Sequence, residues 1–162
     1  MTMRLHHPSC RQRGVAMLEF ALLLPLLLLI LFGITEFSRA LFQYDTLAKT
    51  TRDACRYLST QAAGDPAAKA IALCLAVYGN TNCSGPALVP GLAPAMVVIC
   101  DSVDASQCPG DPPYTLTGGI NLVAVKIQGY TFESDVSFTA FGLNFGLPSF
   151  TFGTIGTVMR QS

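Results

Sequence analysis

Histidine is the telling scarcity in this chain: there are two, His6 and His7, and both precede a long apolar run, so everything beyond that run contains none. Triads and dyads with a histidine base, and histidine-containing zinc sites, are thereby excluded from the larger part of the molecule. There is also no C-x-x-C, no G-x-S-x-G, no phosphate loop and no calcium-loop spacing, and no internal repeat. Asp101, Asp104 and Asp111 offer a calcium ion three acids, but acids in a loop more often just meet solvent. No enzyme, metal or cofactor is therefore expected. Basic and acidic residues balance at ten each; without Arg4, Arg11 and Arg13 seven basic residues face ten acidic, which leaves no nucleic-acid footprint.

What the chain does have begins at its front. Val15 to Ile34 holds a single charge, Glu19, and as a helix covers about 30 Å, the thickness of a bilayer's hydrocarbon core. Eight leucines and Ile30 between Leu22 and Leu31 contribute roughly 3 to 5 kcal/mol of insertion free energy. Glu19 opposes this by about 2.5 to 3.5 kcal/mol at the bilayer centre, and by less near an interface. Insertion still wins. Pro25 is expected to bend the helix without ending it. The basic residues Arg4, Arg11 and Arg13 place the first residues in the cytoplasm and the rest across the inner membrane, in an oxidising compartment. A secretory signal peptide has a similar start, with Ser38-Arg39-Ala40 as its cleavage site, but the run is long for one and encloses an acid.

Two further features set the expected architecture. Ile34, Phe37, Leu41, Tyr44, Ala48, Thr51, Cys55 and Leu58 step by three and four, so one helix is predicted from about Val15 to Leu58, its outer half packing this stripe on the chain's own sheet or on partner helices. Asp65-Pro66 reads as an N-cap and first-turn proline of a second helix through Tyr78, closed by Gly79-Asn80. Strands are expected at Ala95 to Cys100, Leu122 to Ile127, Tyr130 to Phe132, Val136 to Phe141 and Ser149 to Met159, with Gly129, Gly142, Gly146 and Gly153 as separators. They should form an antiparallel sheet. Cys74 with Cys83 and Cys100 with Cys108 flank turn-rich segments and suit two local disulfides. Four cysteines allow three connectivities, and Cys55 adds an odd one that is buried and inert, bridges to another subunit, or displaces a pair.

Gly14 with Glu19 five residues later resembles the prepilin processing motif. Together with Glu19-Phe20-Ala21-Leu22, Leu24-Pro25 and the run from Phe32 to Leu41, it resembles the TadE-like pseudopilins of tight-adherence (Tad, or Flp) pilus systems. Arg52-Asp53-Ala54-Cys55-Arg56-Tyr57 resembles the end of that family's long helix, and Val158-Met159-Arg160 its closing strand. The resemblance implies an α+β chain: a cytoplasmic leader at 1–14, a transmembrane helix at 15–34, an amphipathic continuation at 35–60 and an exported pilin-like domain at 61–162. It further implies cleavage between Gly14 and Val15, with Glu19 and Phe20 as assembly determinants. The partners implied are a prepilin peptidase, the Flp pilin and other pseudopilins, the inner-membrane assembly platform and the lipid bilayer. A membrane-anchored or secreted binding module, using the Cys100 to Pro113 region, is the competing expectation.

Overall fold

A computed structural model of the chain describes residues 12–108, 114–116, 119–135, 137–140, 143–146 and 148–162. Arg4, His6, His7, Arg11, Asp111, Pro113, Val136, Phe141 and Gly142, on which some of the expectations above rest, lie outside the described residues. Helix α1 runs Gln12–Ser59 without interruption through Pro25, and α2 runs Pro66–Tyr78. The strands among the described residues are β1 (Val97–Asp101), β2 (Thr115–Leu116), β3 (Ile120–Ile127), β4 (Thr131–Phe132), β5 (Ser137–Ala140), β6 (Leu143–Gly146), β7 (Phe150–Thr151) and β8 (Ile155–Gln161). The expected class holds: a long N-terminal helix followed by a small antiparallel domain. Two compact units result. One comprises the chain to Ser38 with 135–147, and the other comprises 39–134 with 148–162.

In the second unit β3 is the spine. β8 lies antiparallel along one edge, from Asn121↔Gln161 to Ile127↔Ile155, while β1 and the short β2 share the other edge. Alternation along β3 separates two layers. Val123, Val125 and Ile127 pack with Leu47, Ala54, Cys55 and Leu58 of α1 and with Ala68, Ala72, Ala76 and Val77 of α2. Ala124 joins Cys100, Cys108 and Tyr114 in a smaller cluster. Small residues on α2 are what let two helices share one narrow sheet.

Local chemistry sets the helix ends. Asp65 accepts the Ala67 N–H at 2.9 Å, Pro66 opens the first turn, and Gly79 at φ 70° closes α2 with its N–H on the Leu75 carbonyl. The C-terminus of α1 is capped from far away. Gln161 donates its Nε2 to the Leu58 and Gln61 carbonyls, and the Ser162 N–H and hydroxyl both reach the Ser59 carbonyl. Those carbonyls have no partner within the helix itself. In the first unit, β5 and β6 pair as a hairpin, Ser137↔Gly146 through Ala140↔Leu143, with Gly146 inside a strand and not between strands.

Two expectations need correction. The segment from Ser149 to Met159 is not one strand: it breaks at Phe152–Thr154, where the Phe152 N–H turns to the Tyr130 carbonyl at 2.9 Å, and β7 pairs with β4 while β8 joins β3. The apolar stripe of α1 is also not packed on the chain's own sheet along its whole length. Thr51, Cys55 and Leu58 are buried as expected, but Ile34, Phe37, Leu41 and Tyr44 are exposed, and Glu36, Ala40, Gln43 and Leu47 occupy the buried side. Phe37 and Cys55 are eighteen residues, about five turns, apart and share one angle round the helix, yet Phe37 is exposed and Cys55 buried, so the same stripe meets different surroundings along its length.

Candidate functional site

Gly14, Val15, Glu19 and Phe20 all lie in the first turns of α1, and all four are exposed. Among the described residues nothing comes within 4 Å of where a side chain on Gly14 would begin. From Met17 to Phe32 every large apolar residue is exposed as well. No part of the most apolar window of α1 is buried, which sets it apart from the core helix of a soluble domain. A leucine-rich helix whose apolar window is exposed among the described residues is consistent with a single-pass membrane anchor.

Two aspartates of the second unit are held in structural contacts. Asp101, at the end of β1, is 2 % exposed and fully engaged. Its Oδ1 accepts the N–H groups of Val103 at 3.0 Å and Asp104 at 2.8 Å; its Oδ2 accepts the Gly64 N–H at 3.0 Å and lies 2.9 Å from the Lys69 ammonium. Gly64 has φ 80°, a conformation that favours glycine, and this aims its N–H at the carboxylate from the α1–α2 connection. Burial by itself raises the Asp101 carboxyl; Lys69 and the N–H groups of Asp104 and Gly64 outweigh it and hold the group below the usual carboxylate range. Asp104 is fully exposed and is also held low, by the hydroxyl and N–H of Ser106. Asp101 and Asp104 are thus set by their own loop and Lys69, a role that no short-range pattern announces.

The cysteines divide by position. Cys74 and Cys83 lie at disulfide distance with Cα atoms 4.7 Å apart, as do Cys100 and Cys108 at 6.4 Å. Asn80 shapes the loop around the first pair, accepting the Asn82 and Ser84 N–H groups and donating to the Tyr78 and Ser84 carbonyls. Cys55 is free and buried between α1 and β3, its thiol donating to the Val123 carbonyl at 3.3 Å. Desolvation in the core pushes that thiol up to about 11, with backbone hydrogen bonding only partly offsetting it.

A second contact missed by pattern reading joins α1 to the strands. The Tyr130 hydroxyl lies 2.9 Å from Gln43 Oε1 and 2.8 Å from the Pro90 carbonyl, either of which can take its proton. Its ring stacks on Phe152 at 5.7 Å, Phe152 meets Tyr44 and Phe150 edge-on, and Phe150 packs on Phe132. Arg39 lies 5.0 Å above the Phe132 ring and donates to the Glu133 carbonyl. Burial raises the Tyr130 hydroxyl above its ordinary value.

The class defined so far is a long apolar N-terminal helix followed by a small antiparallel domain with two cysteine pairs at disulfide distance. The family model described as TadE-like protein matches residues 14–56, beginning at Gly14 and covering most of α1. The matched segment points to a protein associated with Tad pili, a family of pilus components and not of enzymes. No curated protein and no solved structure matches the chain.

Proposed function

We propose that the chain is a minor pseudopilin of a Tad/Flp-type pilus, held in the inner membrane by α1, with its N-terminus cytoplasmic and its C-terminal domain periplasmic or extracellular. A prepilin peptidase cleaves between Gly14 and Val15. The new amine at Val15 supplies the positive charge that Glu19 lacks, and pairing the two across neighbouring subunits gives the acid its counter-charge on assembly. The partial positive charge at a helix N-terminus favours an acid there too. Phe20 adds apolar contact at the same end. Partners are the peptidase, the Flp pilin, other pseudopilins and the assembly platform, and the exported domain acts by protein contact alone.

The observation that carries this reading is coincidence: the family match starts at Gly14, and the same helix exposes its large apolar residues from Val15 to Phe32. N-terminal sequencing of protein extracted from membranes tests it. Processed material begins at Val15; material beginning at Met1 or Thr2 in cells with an active peptidase refutes the processing step.

A further inference from the structure

Along α1 the outward face changes character at one point. Apart from Glu19, the exposed large side chains from Val15 to Phe42 are all apolar, and the run continues past Ile34 at 60 % exposure through Phe37 at 62 %, Leu41 at 53 % and Phe42 at 71 %. The polar residues within this extension do not interrupt it. Thr35 and Ser38 donate their hydroxyls to the Phe32 and Ile34 carbonyls of the preceding turn, at 2.9 and 2.8 Å. Glu36 is buried, and Arg39 is half-buried over Phe132. The first outward charge is Asp45, paired with Lys49 at 2.9 Å, and Arg52, Asp53 and Arg56 keep the face charged from there on.

The length of this apolar sleeve matters. Val15 to Phe42 spans about 42 Å as a helix. That exceeds the ~30 Å hydrocarbon core but matches the ~40–45 Å of a bilayer with both headgroup layers. Fitting it into the hydrocarbon alone takes a tilt of about 45°, beyond the ~40° reached by membrane helices. Tyr44 closes the sleeve and packs on Phe152, which meets the exposed Phe150, so an aromatic edge continues from the helix onto the domain. Amphipathic and aromatic rings collect at that level of a membrane.

We propose that Phe37, Leu41, Phe42 and Tyr44 form an interfacial ring in the exported-side headgroup layer, so that the bilayer ends near Asp45 and not at Ile34. Glu19, about 6 Å along the helix from Val15, lies close to the opposite headgroup layer. The proposal rests on the membrane-anchor reading and deepens it.

The chain contains no tryptophan, so single Trp variants of the full-length protein report depth without background. Leu28→Trp, Phe42→Trp and Lys49→Trp are reconstituted in phosphatidylcholine/phosphatidylglycerol vesicles whose lipids are brominated high on the acyl chain. Expected are a fall of about twofold or more in Phe42→Trp emission, quenching of Leu28→Trp, and none of Lys49→Trp. If Leu28→Trp is quenched while Phe42→Trp behaves like Lys49→Trp, the ring is overturned and the anchor stands. Quenching of neither removes the anchor and the ring together. A Phe42→Trp emission shielded from water, insensitive to brominated lipid and lost on diluting protein into excess lipid places a second copy on this face and overturns the proposal.

Discussion

Replacing Asp101 by Asn is the sharpest test of how the second unit is held. The carboxylate presents two oxygens to four donors: Val103 and Asp104 on Oδ1, Gly64 and Lys69 on Oδ2. An amide has one oxygen. Whichever way it turns, its NH₂ faces two donors at about 3 Å, leaving at least one buried backbone N–H without an acceptor at a cost of about 1–3 kcal/mol, besides the lost charge-assisted contact. Lys69, with its side chain 22 % exposed, can swing to water, so the total stays near 2–4 kcal/mol, below the upper range for stranding a fully buried partner. Urea unfolding of the detergent-solubilised, oxidised full-length chain, followed by tyrosine near-UV circular dichroism, measures it. The pH dependence supplies a second reading. Because the folded carboxyl lies below its unfolded value, its contribution is fully present at neutral pH and is lost as pH falls from about 5 through the ordinary Asp value near 4 and on to the folded one. The Asp101→Asn substitution flattens that loss, leaving the part due to Asp104. A destabilisation under about 1 kcal/mol with an unchanged acid limb refutes the buried node.

Three other outcomes follow from particular contacts. With its thiol at about 11, Cys55 is thiolate in about one molecule in a thousand at pH 8, against about a quarter for an ordinary thiol; iodoacetamide mapping should leave the Cys55 peptide unlabelled in the folded chain and labelled in urea, and rapid native labelling would contradict its burial. Gly156 faces Lys126 in the β3–β8 ladder, and a Cβ there meets Lys126 Cγ at 2.7 Å and the Val125 carbonyl at 3.2 Å, so Gly156→Ala is expected to cost about 1–3 kcal/mol in the same urea assay, and a neutral result would show the ladder free to slide. Glu19→Ala should insert at least as well as wild type while failing to join pilus assemblies; normal piliation by this variant in a deletion background would dismiss the charge-pairing role.

Features governed by neighbours along the chain were legible from the sequence alone. The Asp65-Pro66 start and Gly79 stop of α2 are local chemistry, and the spacing of Cys74 with Cys83 and of Cys100 with Cys108 leaves each pair close across a short loop. Gly64, Lys69 and Asp101 could not be read in the same way. They converge only because α2 packs beside β1, and the same aspartate looked from its own loop like one of three acids available to a cation. Gln161 is similar: a glutamine near the end of a strand gives no hint that its amide closes a helix a hundred residues earlier. Breaking the Ser149–Met159 segment depends on Phe152 finding Tyr130, a contact between residues whose propensities both favour strand.

The misread stripe of α1 has the most to say about function. Apolar periodicity identifies a buried face only if apolar always means inward, and that holds where water is the solvent. In α1 it holds from Leu47 onward, where Thr51, Cys55 and Leu58 meet the sheet. Before Asp45 it fails: Ile34, Phe37, Leu41 and Phe42 face outward while Glu36 and Gln43 turn in, which inverts the usual pattern of an amphipathic helix. Inversion of this kind is unfavourable for a helix in water and favourable for one surrounded by lipid or by other apolar helices. The point where the rule changes sign, between Phe42 and Leu47, therefore marks the boundary between two environments on one continuous helix. It lies inside the matched TadE-like segment and not at its edge, so that segment joins the exposed apolar stretch of α1 to the turns that pack on the sheet.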